Sequence, residues 1–144
     1  MPAQLPPTSL YTYAVELGAD EAVAKVDGRD VVFNRPVILH VENFLDIPAG
    51  EIIPVGYYDP KRSAWIGAAN GQVIRLVSIG GGLADLDVDG DGRPDNAAAL
   101  LALGIDDAER RQLALLYAPG TGLWRAPLAH FSLAASQRRR KRWV

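Results

Sequence analysis

Cysteine is absent from the 144 residues. That excludes disulfides, thiol chemistry and cysteine-based zinc sites. Histidine is scarce: His40 and His130 stand far apart, so a His-rich transition-metal site is not expected. No apolar run approaches the roughly 18 residues that a membrane-spanning helix needs, so no membrane span is expected. Met1-Pro2-Ala3 opens without a basic segment followed by an apolar one. If the protein is exported, its signal lies outside this chain or the route is another one. No internal repeat is visible. What is present is ordinary: 49% apolar and 22% charged residues, with 14 glycines and 10 prolines marking a turn-rich globular chain.

Charge is unevenly spread. Arg138, Arg139, Arg140, Lys141 and Arg142 supply five of the 15 basic residues. Without them, ten basic residues face 17 acidic ones. An acidic body makes a poor nucleic-acid surface, so nucleic acid is not expected as a partner. The basic run reads as a solvated terminus. The weaker alternatives are a targeting tag, an anionic-lipid contact and a nucleic-acid accessory role.

The first nine residues, with Pro2, Pro6 and Pro7, read as an irregular lead-in. Residues 10–17 and 30–34 are strand-like. Pro36 opens a further strand in which Val37, Leu39 and Val41 share one face. Residues 52–58 are β-rich but interrupted by Pro54 and Gly56, which predicts an edge or a bulge. The spacing then predicts a β-hairpin over 64–79, because Asn70-Gly71 supplies the two positive φ angles of a type I′ turn. Helical pattern appears late. Ala97–Leu103 stops at Gly104, and Asp106 with Glu109 forms a capping-box pattern opening a helix over 107–117. Residues 123–132 return to strand. The expected fold is mainly β, an antiparallel β-sandwich with a short helical insertion at about 97–117. Its module spans 10–133 and its basic tail 134–144. Tyr57, Tyr58, Trp65 and Trp124 read as core or turn aromatics, and His40 carries no signal beyond its strand position.

Residues 85–95 hold five carboxylates in eleven positions. Like charges drawn into a compact loop repel and lose hydration, so the loop needs a cation or must splay into solvent. From Asp87 the pattern is D-x-D-x-D-G-x-x-D. Asp87, Asp89 and Asp91 are placed to converge, Gly92 permits the turn, the Arg93 carbonyl faces inward, and Asp95 closes the site directly or through water. Asp85 is an extra or outer ligand. Hard oxygen donors in a flexible loop select Ca²⁺. Position 12 of the helix–loop–helix version is Ala98 instead of a bidentate Glu. A shorter nine-residue structural loop is therefore expected, not a paired sensor.

His130-Phe131-Ser132 ends the last strand candidate. In one reading His130 takes the proton of Ser132, whose oxygen attacks the Phe131 carbonyl and yields an ester that water hydrolyses. In the other, Phe131 points into a core and its two neighbours face out.

The long segments 11–17, 36–45, 54–59, 82–92, 116–120 and 123–132, in this order, resemble a module found upstream of the repeats in bacterial Rhs/YD-repeat proteins. The resemblance covers roughly residues 8–132. It implies a part of a secreted or cell-surface protein whose partners are other protein domains of an Rhs-like assembly. The module is also distantly similar to the β-sandwich shared by ankyrins, netrin receptors and death-domain scaffolds, some of which self-cleave at His-Phe-Ser in the final strand. That likeness implies roles for His130 and Ser132. Two departures stand out: no repeats follow the module, and a basic stretch replaces the expected Pro/Trp-rich continuation. The combined expectation is a non-enzymatic, Ca²⁺-stabilised structural or interaction module, with self-cleavage as the only enzymatic alternative.

Overall fold

Glycine pairs and alternating apolar residues set the framework. The computed structural model describes residues 31–59 and 61–131. The lead-in, the strand expected at 10–17, Ser132 and the basic tail lie outside the described residues. In order the elements are β1 Val31–Glu42, β2 Ile52–Ile53, β3 Gly56–Asp59, β4 Ala64–Gly67, β5 Gly71–Gly80, β6 Leu83–Asp87, α1 Ala97–Ala102, α2 Asp107–Leu116 and β7 Gly122–Phe131. The chain is mainly β, with antiparallel sheets and two short helices, in line with a β-sandwich-like fold. It divides into two compact units. Of the described residues, one unit holds 31–38, 54–59, 61–69 and 127–131, and the other 39–53 and 70–126.

The larger sheet runs β1-β7-β5-β2, with β6 also paired to β5. β5 is its centre. Gly81 and Gly82 adopt φ of 60° and 77°, the two positive angles that a two-residue hairpin loop uses, and so return the chain from β5 into β6. One extra residue near Val77 shifts the register between Leu76 and Ser78. Alternation then sorts the side chains. Ile74 and Leu76 of β5, Ala84, Leu86 and Val88 on and after β6, and Leu123 of β7 form one apolar cluster with Leu100, Ile105 and Leu113. Burying each large member stabilises by about 1.5–3 kcal/mol.

The helices supply the other side of that cluster. Asn96 caps α1 by accepting the Ala99 amide at 2.9 Å. Gly104, at φ 72°, ends it: its amide donates to Leu101 O at 2.9 Å, and the Ile105 amide donates to Leu100 O at 2.9 Å. These paired bonds are a Schellman closure, and the accompanying apolar contact is between Leu100 and Ile105, both buried. The helix expected at 107–117 is α2. Asp106 accepts the Glu109 amide at 2.8 Å as its cap. The reciprocal half of the expected capping box is missing, because the Glu109 carboxylate is turned to other partners described below.

The expected 64–79 hairpin is not formed. β4 pairs with β3, not with β5, in a separate two-stranded sheet whose turn lies between Asp59 and Ala64. There the Lys61 amide donates to Asp59 Oδ1 at 2.9 Å and Ser63 takes φ 50°. The segment 52–58, read as one interrupted strand, splits at Pro54 into β2 and β3. Neither Asn70 nor Gly71 is among the described residues with positive φ. Gly71 serves nearness instead: a Cβ there would lie 2.7 Å from the Arg125 carbonyl oxygen of the adjoining β7. A second difference is that Pro36 sits inside the long β1 instead of opening a strand. β1 is the outermost strand of the described sheet, where a missing N–H is tolerated.

Candidate metal centre

The acidic loop follows β6 directly. Its first ligand candidate, Asp87, is the last residue of that strand and only 2% exposed. Such burial of a carboxylate demands donors, and the loop backbone provides them. Asp87 Oδ1 accepts from the Gly90 amide at 2.7 Å and the Asp89 amide at 3.2 Å, and Oδ2 accepts from the Gly92 amide at 2.9 Å. Gly90 and Gly92 reach these positions at φ of 87° and 82°. The same two-residue step repeats outward: Asp89 Oδ1 accepts the Asp91 amide at 3.0 Å, and Asp91 Oδ1 accepts the Arg93 amide at 2.7 Å.

Asp95 closes the loop onto β6. Its amide donates to Leu86 O at 2.8 Å, and its Oδ2 accepts the Val88 amide at 2.7 Å. One oxygen from each of Asp87, Asp89 and Asp95 then lies within 4.8 Å of the others. Asp87 is buried, Asp95 half-buried and Asp89 exposed. This cluster could hold a metal ion. The donor set fits a hard cation: every converging group is a carboxylate oxygen, and repulsion among three such charges is what a bound cation offsets.

Of the sequence candidates, the structure brings together Asp87, Asp89 and Asp95. Asp91 is exposed and outside that trio. Arg93 is exposed and its amide serves Asp91. Asp85 is engaged elsewhere: it accepts from Ser78 Oγ at 2.7 Å and from Arg110 Nη2 at 3.3 Å. His130 and Phe131 are the last two residues of β7. Ser132 lies outside the described residues, as does the 138–142 cluster.

The loop has a backing that the sequence pattern did not disclose. Residues 48–51 run backbone against backbone along it. A Cβ on Gly50, at φ 90°, would meet Asp89 O at 2.8 Å, and one on Gly90 would collide with Ala49 O. Gly50 N donates to Val73 O at 2.8 Å, and Val73 N donates to Glu51 O at 2.9 Å, so this backing is stitched to β5. Gln72 Nε2 donates to Val88 O. Asn43 anchors the start of the same segment. It exchanges two bonds with Ile47 and accepts from Trp124 Nε1 at 2.8 Å. Nothing local in the sequence pairs Gly50 with Gly90, because they stand far apart along the chain and their close approach is set by the fold.

A second polar cluster also escaped the sequence. Arg125 is 6% exposed and donates from Nε to Glu109 Oε1 at 2.6 Å and from Nη2 to Oε2 at 2.8 Å. Its Nη1 donates to Leu103 O at 2.9 Å. His40 Nε2 lies 2.9 Å from Glu109 Oε1. Burial pushes the Glu109 carboxyl up, but the hydrogen bonds and charges of Arg125 and His40 outweigh it and hold the group below its ordinary range.

Compared with known protein families, with curated proteins and with solved structures, the chain matches none. No helix among the described residues is long and apolar enough to cross a membrane.

Proposed function

We propose that the chain is a non-enzymatic, calcium-stabilised β module that mediates assembly with other protein domains, as in Rhs/YD-repeat surface or secreted proteins. The observation that carries the metal part is the convergence of Asp87, Asp89 and Asp95 at the end of β6. Hard oxygen donors on a glycine-bearing loop favour Ca²⁺ over transition metals. Asp87 holds the loop backbone through three amides, while Asp95 ties its far end to Leu86 and Val88. A cation among these groups relieves their mutual repulsion and pins the loop to the strand. The assembly part rests on the sequence resemblance.

The test is calorimetry with chelator and with millimolar Ca²⁺, Mg²⁺ or Zn²⁺. A ligand at a hundred times its Kd adds about 2.7 kcal/mol, which for a chain of this size raises Tm by roughly 5–10 °C. Ca²⁺ is expected to give the largest rise. An unchanged Tm across all three ions removes the metal from the account.

A second reading is self-cleavage between Phe131 and Ser132. It is favoured by one placement, that His130 and Phe131 end the last described strand. Intact-mass spectrometry separates the two readings. A product ending at Phe131 and abolished by Ser132→Ala supports cleavage, and a full-length species after long incubation excludes it.

A further inference from the structure

Two charged contacts join the sheet to the helical layer of the 39–53/70–126 unit: Arg110 of α2 reaches Asp85 and the Ala84 carbonyl of β6, and a more buried node gathers around Glu109, away from the acidic loop. Three elements converge on Glu109. Glu109 itself is on α2, Arg125 comes from β7, and His40 comes from β1. Arg125 also holds the end of α1, donating to Leu103 O at 2.9 Å and to Gly104 O at 3.4 Å. A single guanidinium therefore grips both helices from the sheet. It can do so only while its charge is answered, and among the described residues the carboxylate that answers it is Glu109, bound through both oxygens. The geometry points to Glu109 as an acid-released latch: while ionised it holds α1 and α2 on the sheet, and its protonation frees them ahead of the rest of the fold.

The chemistry is direct. A protonated Glu109 offers Arg125 one neutral acceptor in place of a bidentate anion. The guanidinium, 6% exposed, is left a buried cation facing two carbonyls. Its relief is hydration, which requires the helices to lift. Among the described residues no neighbour stands in for Glu109. On α2, Arg110 adds positive charge and is itself paired with Asp85 of β6 and with Asp107. Asp106 is committed to capping α2. α1 consists of alanine and leucine alone. Arg75 of β5 is exposed, and His40 from β1 shares the same Glu109 oxygen as Arg125. Glu109 is held below the ordinary glutamate range despite burial, so the latch stays closed at neutral pH and opens only in acid. Opening uncovers the face built from Ile74, Leu76, Leu86 and Leu123.

Amide hydrogen exchange, corrected for intrinsic rates, tests this on the full chain in constant chelator from pH 7 to pH 3. The expected result is that amides of 107–116 lose protection at least tenfold in acid while those of 72–76 remain protected. Glu109→Gln should show the loosened helices already at pH 7. The double variant Glu109→Met/Arg125→Met, which removes both charges together, should show no acid step in α2. Simultaneous loss of protection in α2 and β5 of the wild type overturns the latch, as does an acid step that survives in the double variant.

Discussion

At the scale of single residues, Asp87 shows what one carboxylate can organise. Its two oxygens gather three backbone amides and so shape the loop. Asp87→Asn keeps one acceptor oxygen but turns an NH₂ donor toward amides that are themselves donors. A loss of about 1–3 kcal/mol is expected from the unsatisfied groups. Urea unfolding in chelator reads that loss without any metal contribution, and the same variant should show a blunted response to Ca²⁺. A wild-type midpoint in Asp87→Asn would mean that the amide contacts contribute little. The D-x-D-x-D spacing made this loop legible because side chains two apart meet the same local backbone. Asp85 and Asp91 share the composition but not the placement. Asp85 is claimed by Ser78 and Arg110, and those residues lie seven and 25 positions away, beyond what local spacing can reveal.

Elements were legible where their signals are local. Both helices stand where their caps and Gly104 put them, because a helix end is decided by bonds within four or five residues. Strand pairing is decided at long range, and there the Asn70-Gly71 dipeptide misleads. A type I′ dipeptide predicts a turn only if no better partner exists for the flanking strands. β4 found β3, and β5 found β2, β6 and β7. The hairpin turn with two positive angles belongs to Gly81-Gly82. This difference is measurable. Gly71→Ala pushes a Cβ to 2.7 Å from the Arg125 carbonyl and should destabilise by about 1–3 kcal/mol. Asn70→Ala, at an exposed position with no positive φ, should stay within about 0.5 kcal/mol. A larger cost for Asn70→Ala than for Gly71→Ala would restore the hairpin reading.

For the molecule as a whole, acid stability follows from the Glu109 node. A carboxyl held lower in the folded chain than in the unfolded one contributes stability that is complete above its unfolded value, about 4.3. That contribution fades as pH falls through the folded value. The unfolding free energy should therefore drop below about pH 4, and Glu109→Gln should flatten the drop attributable to this group. Denaturant titrations between pH 3 and pH 7 check the sign, and a wild type that gains stability in that acid window contradicts it. The antiparallel, mainly β class was open to a sequence reader through alternation and turn residues. The charged node was not, since Glu109 reads locally as half of a capping box and Arg125 as an intruder in an apolar strand.

The outer flank of β6 carries a final consequence. Its Ala84 carbonyl is taken by the Arg110 guanidinium at 2.8 Å and its Leu86 carbonyl by the Asp95 amide at 2.8 Å. A bare flank invites a stray strand to zip on and begin a fibril. Here two acceptors are already engaged by side chain and loop, so polymerisation through this seam would first have to evict both.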